Sequence, residues 1–94
     1  MKVKVNYLGL VKTYTNRIQD EKELPEGTSL AGLLDKLSSE FGKPFNPEIY
    51  DPNKKEVKPM FVVMVNGVLM DQPGIENKLK NGDNIVIMPL MTGG

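Results

Sequence analysis

The chain of 94 residues contains no cysteine, no histidine and no tryptophan. Without Cys there are no disulfides, no thiolate-held zinc or iron–sulfur sites and no sulfur nucleophile. Without His, the commonest general base and the commonest metal ligand are both gone. A catalytic centre would have to be assembled from carboxylates, Lys, Tyr and Ser/Thr, and no paired arrangement of these stands out. The chain therefore reads as a non-enzyme, with no catalytic or metal-ligating residue to name. Excess charge is missing too, because twelve basic and twelve acidic residues cancel and are mixed along both halves. Nucleic-acid binding draws on a concentrated positive face, so no such partner is expected. No apolar run approaches the length of a membrane span, and Met1-Lys2-Val3-Lys4 leads straight into strand-like sequence. Neither a membrane nor a signal peptide is expected, and the cytoplasm is the expected compartment.

What is present describes one globular domain, with 39% hydrophobic and 26% charged residues. Val3, Val5 and Tyr7 alternate with Lys2, Lys4 and Asn6, the period-2 pattern of a half-buried strand. After a turn over residues 9–15, a polar stretch over residues 16–24 suits an edge strand. Thr28 or Ser29 can cap a helix in which Leu30, Leu33, Leu34, Leu37 and Phe41 recur at helical spacing. Gly42 is placed for a left-handed C-cap, and Pro44 prevents continuation. Residues 42–59 carry four prolines and read as a long loop, with at most one turn near Ile49 and with Phe45 or Tyr50 able to tuck onto the core. Residues 61–65 form an apolar strand, Asn66-Gly67 a two-residue hairpin turn, and residues 68–71 the return strand. A helical turn over residues 73–80 directs Ile75 and Leu79 inward, and residues 84–90 make the final strand. The expected order is β, β, α, β, β, β, with one helix on one mixed sheet and the first and last strands side by side at its centre.

The last residues are Thr92-Gly93-Gly94. Two glycines without a Cβ can thread a channel too narrow for other residues, and the terminal carboxylate of Gly94 is then the one reactive group on an unbranched tip. The chain thus divides into a domain over residues 1–90 and a tail over residues 91–94. Pro89 cannot donate a ladder hydrogen bond, so it is expected to end the strand and release the tail.

Three segments resemble a known family: Leu24-Pro25-Glu26-Gly27-Thr28-Ser29-Leu30 with Leu33-Leu34; Val65-Asn66-Gly67; and the closing run from Leu79-Lys80-Asn81-Gly82-Asp83 through Ile85-Val86-Ile87-Met88-Pro89-Leu90 to Gly93-Gly94. This pattern is similar to that of the β-grasp, ubiquitin-like sulfur carriers, the group of the molybdopterin synthase small subunit and the thiamine sulfur carrier. The resemblance implies an α+β fold, a β-grasp with a mixed sheet of four to five strands and one main helix across it. It also implies that an E1-like enzyme adenylates Gly94 with ATP and that a persulfide donor protein then supplies sulfur to form a thiocarboxylate. The thiocarboxylate would serve an acceptor synthase large subunit. The carrier itself would bind no cofactor, since ATP is used by the activating partner. Molybdopterin, or a tungsten-type pterin, is the leading pathway, with thiamine and amino-acid biosynthesis as alternatives. A modifier that forms isopeptide bonds through Gly94 and a non-covalent interaction module are the competing classes.

The pleat of the strands suggests where partners dock. With Phe61, Val63 and Val65 facing the helix, Val62 and Met64 face away, as do Val86 and Met88 when Ile85 and Ile87 are core. Met64, Val86 and Met88, joined by Pro89, Leu90 and Met91, are the expected docking patch beside the tail of Thr92, Gly93 and Gly94. Exposed apolar patches with methionine suit surfaces that meet several partners.

Overall fold

The computed structural model describes residues 1–90. Five strands form the main sheet: β1 (Lys2–Tyr7), β2 (Gln19–Glu23), β5 (Phe61–Val65), β6 (Val68–Met70) and β7 (Asn84–Pro89). Their order is β2-β1-β7-β5-β6, with β1 parallel to β7 and the remaining pairs antiparallel. The last strand therefore lies at the centre beside the first, the arrangement expected from the order of elements. Strand β2 is an edge, and its sequence Gln19-Asp20-Glu21-Lys22-Glu23 carries the charge that discourages further pairing there.

Helix α2 (Leu30–Phe41) forms where the leucine spacing placed it. Of the two possible caps Ser29 is the one used, its side chain accepting from the Gly32 N–H at 3.0 Å. The Leu30 N–H donates to the Asn77 carbonyl and the Leu79 N–H to the Thr28 carbonyl, which pins the chain before β7 to the start of α2. Leu30, Leu33, Leu34 and Leu37 are fully buried in one cluster with Val3, Val5, Tyr7, Val63, Ile85 and Ile87 from the sheet. This cluster is the core, and it lies on one face of the sheet. Gly42 ends the helix at φ 63°, ψ −143°, a mirror-image extended conformation rather than the left-handed helical one expected.

Two segments depart from the sequence reading. Residues 9–15 contain a short helix, α1 (Leu10–Thr15), in place of a turn, and it puts Val11 and Thr15 into the interior four residues apart. Six residues are too few to display a helical period, and Asn16 closes the helix in a left-handed conformation, so the edge strand starts only at Gln19. Residues 42–59 are structured too. They hold a helical turn, α3 (Phe45–Glu48), and a small hairpin of β3 (Tyr50–Asp51) with β4 (Glu56–Val57). Phe45, Ile49 and Tyr50 have no exposed surface, so this segment is a wall of the core. The Gln72 side-chain amide ties it down, accepting from the Val57 N–H at 3.1 Å and donating to the Lys55 carbonyl at 2.7 Å.

The turns behave as their residues dictate. Asn66 and Gly67 both have positive φ (51° and 82°), which a two-residue turn matched to strand twist requires. A 3₁₀ turn (Pro73–Glu76) buries Ile75, and Leu79 is buried just after it.

Candidate functional site

The site is built on β7 and its neighbours. Ile85 and Ile87 are completely buried under α2, so alternation turns Val86 and Met88 to the opposite face, where both are half-buried. The register sets Met64 directly across from Val86, and Val62 across from Met88. Leu69 follows on β6 opposite Met64 and is 59% exposed. The structure therefore brings Met64, Val86 and Met88 together as expected and extends the patch to Val62 and Leu69. On the other half of the same face Lys2 lies opposite Glu23, Lys4 opposite Glu21 and Asn6 opposite Gln19. The face is thus divided, apolar over β7, β5 and β6 and charged over β1 and β2. Asn6 stands at the divide, its Nδ2 donating to the Asn84 side chain and to the Ile85 carbonyl, each at 2.9 Å.

Pro89 ends β7 as its missing N–H requires, but pairing runs one residue further. The Leu90 N–H donates to the Met60 carbonyl at 2.8 Å, so the chain is held to the β5 side up to Leu90. Leu90 itself is 57% exposed. On the opposite side the Leu8 N–H donates to the Ile87 carbonyl at 3.0 Å. Gly9 (φ 56°) lets the β1–α1 connection press against Pro89, because a Cβ at Gly9 would sit 3.2 Å from the Pro89 ring. Between these two walls lies an open groove of about 600 Å³ lined by Leu8, Leu10, Tyr14, Met60, Met88 and Pro89, with Glu48 at its edge. Leu8, Leu10, Tyr14 and Met60 were not among the residues expected to dock a partner. The one signal available was the pair of apolar residues Leu8 and Leu10, just before and within the segment over residues 9–15 read as a turn.

Nothing in the described residues resembles a reaction centre. Among them no group of three or more His, Cys, Asp or Glu is placed to hold a metal ion. Two tyrosines are perturbed for structural reasons. Burial, reinforced by the hydrogen bond its hydroxyl donates to Asp20 at 3.0 Å, raises the Tyr7 phenol above its ordinary pKa. Burial followed by the charge of Asp35 does the same to Tyr50. Neither hydroxyl faces the apolar patch. No helix among the described residues is long and apolar enough to cross a membrane. Met91, Thr92, Gly93 and Gly94 lie outside the described residues.

A mixed five-stranded sheet gripping one main helix, with its central strand leading to the Gly-Gly end, is the β-grasp architecture of ubiquitin-like proteins. Solved structures share it over almost their whole length. SAMP1 of Haloferax volcanii has a TM-score of 0.81 at 14% identity, covering 100% of both chains. A Pyrococcus furiosus protein assigned as molybdopterin converting factor, subunit 1, has a TM-score of 0.75 at 27% identity, covering 96% of this chain and 98% of its own. The BexX/CysO complex of Amycolatopsis orientalis contains a chain with a TM-score of 0.72 at 21% identity, covering 98% and 99%. No curated protein matches the sequence significantly. The ThiS family model matches residues 5–94, and the chain belongs to that family of β-grasp sulfur carriers.

Proposed function

We propose that this protein is a carrier of activated sulfur that works through Gly94 and serves the synthesis of molybdopterin or a tungsten-type pterin. The observation that carries the reading is Thr92-Gly93-Gly94 two residues beyond the central strand of a ThiS-family fold. The Gly94 carboxylate attacks the α-phosphorus of ATP on an E1-like enzyme, releasing pyrophosphate and leaving an acyl-adenylate. A persulfide sulfur from a donor protein displaces AMP, and a thiol then reduces the acyl disulfide to the thiocarboxylate. The carrier contributes no catalytic group and binds no cofactor, in keeping with a sequence without Cys or His. Its own part is to present the tail and to dock the activating enzyme and the acceptor synthase through Met64, Val86, Met88, Pro89, Leu90 and Met91. The pterin pathway is favoured by the 27% identity to the Pyrococcus furiosus protein. The CysO chain in its BexX complex supports docking on a partner protein.

Mass spectrometry of the tail peptide tests this after incubation with ATP, a sulfur donor and the E1-like enzyme. Sulfur in place of oxygen at Gly94 is the expected result. The peptide is essential because methionine oxidation has nearly the same mass change and the chain has six Met. An unmodified Gly94, with the enzyme active on another carrier, would end the proposal. The likeness to SAMP1, a small archaeal modifier by name, favours a second reading in which the same activated carboxylate forms isopeptide bonds to lysine. Gly94-linked adducts on other proteins in a lysate would establish it.

A further inference from the structure

The groove beside Pro89 is distinct from the flat apolar face, and its construction couples it to the tail. Both of its walls are tied by backbone hydrogen bonds at the end of β7, Leu8 to Ile87 on one side and Met60 to Leu90 on the other. The Gly9–Pro89 contact closes its end. It is therefore formed before any partner arrives, which limits the ordering cost of binding. Its lips are apolar and wet, with Leu8 and Leu10 each 44% exposed and Met60 62% exposed. Its volume leaves room for a large side chain together with its neighbours, and contiguous exposed apolar surface of this kind marks a binding site. Glu48 at the rim is exposed and takes part in none of the ion pairs among the described residues. The charge it offers calls for a basic group on the partner. Met88 belongs to both the groove and the flat face, so one partner can engage the two together.

We infer that this groove seats one apolar anchor side chain, with a Lys or Arg beside it, of the enzyme that activates Gly94. The inference rests on the carrier reading proposed above. Gly94 is the fourth residue after Leu90, a reach of at most about 14 Å. An anchor seated at Pro89 therefore restricts the carboxylate to a small region, which is what positioning for adenylation needs.

Steady-state adenylation of the full chain, followed by pyrophosphate release, tests the assignment with Met60→Glu and Leu10→Glu. Both residues are exposed, so the fold tolerates the changes, and Val68→Glu serves as an exposed apolar control remote from the groove. The KM for the carrier is expected to rise about tenfold or more in the groove variants, with kcat retained and Val68→Glu unaffected. An unchanged KM in both groove variants would overturn the assignment. If the activating enzyme does not adenylate the wild-type chain, the carrier reading fails, and the groove is then judged by methionine-methyl NMR. Titration with N-acetyl-phenylalanine amide must then shift Met60 and Met88 saturably and leave Met64 in place, and no shift at Met60 refutes an apolar-anchor site. Shifts at Met60 that depend on protein concentration alone would make the occupant a second copy of this chain and refute the enzyme as its partner.

Discussion

Replacing Phe45 by Ala tests whether residues 42–59 are a wall of the core or a surface excursion. Phe45 has no exposed surface, lies tilted against Phe41 with ring centroids 5.7 Å apart, and reaches the sheet through the edge-on contact of Phe41 with Tyr7 at 5.6 Å. A buried Phe removes on the order of 150–250 Å² from water, worth roughly 4–6 kcal/mol as an upper figure at 25 cal/mol per Å². Alanine keeps a small part of that and leaves a cavity, so the expected loss is about 3–5 kcal/mol. Against a total stability of about 5–15 kcal/mol, this is from about a fifth to nearly all of what holds a domain together. The matching fall in melting temperature is roughly 15–30 °C for a chain of this length. Urea unfolding followed by circular dichroism measures it, with a lower midpoint and an unchanged m-value expected. Asn53→Ala, at the exposed tip of the same segment, should stay within about 0.5 kcal/mol of wild type. A loss below about 1 kcal/mol for Phe45→Ala would refute the structural role of this segment.

Two further outcomes follow from the geometry around β1. Gly9→Ala adds a Cβ 3.2 Å from the Pro89 ring at a φ of 56° that L-residues rarely adopt, so a loss of about 1–3 kcal/mol is expected in the same urea assay; no loss would mean that the groove wall moves freely. Tyr7 and Tyr50 are held neutral by burial, so their folded pKa values lie above the unfolded value. The stability they protect is complete below about pH 10 and is lost as pH rises, because the unfolded phenol ionises first, with a slope of up to about 1.4 kcal/mol per pH unit for each tyrosine. Unfolding measured between pH 8 and 12 should show this decline, and Tyr7→Phe should make it shallower. An equally steep decline in that variant would contradict the assignment to Tyr7.

The pattern of the chain was enough for most of the frame. Leu30, Leu33, Leu34 and Leu37 have the period of a helix and no other use for it, and all four are buried. Asn66-Gly67 fixes a tight turn through positive φ at both residues, so the β5–β6 register could be read locally. The outward placement of Met64, Val86 and Met88 followed from strand alternation once the inward residues were known. In contrast, α1 escaped because six residues give too little periodicity, and its stability comes from burying Val11 and Thr15 rather than from helix propensity. The elements within residues 42–59 escaped because prolines and short segments look like a loop in sequence; Phe45 or Tyr50 could be read as tucking onto the core, but only the structure shows that both are interior together with Ile49.

The functional residues divide in the same way. Gly93-Gly94 and the absence of Cys and His are properties of the sequence itself, and the chemistry proposed for this protein rests on them. The groove is a property of the tertiary structure alone, because Leu8, Leu10, Tyr14, Glu48, Met60 and Met88 come from four separate stretches of chain. A linear pattern reports which face of an element is apolar, since that depends on neighbours three or four residues away. It cannot report which separate segments pack side by side, and here that was decided by the parallel pairing of β1 with β7 and the hydrogen bonds that join both walls to the central strand.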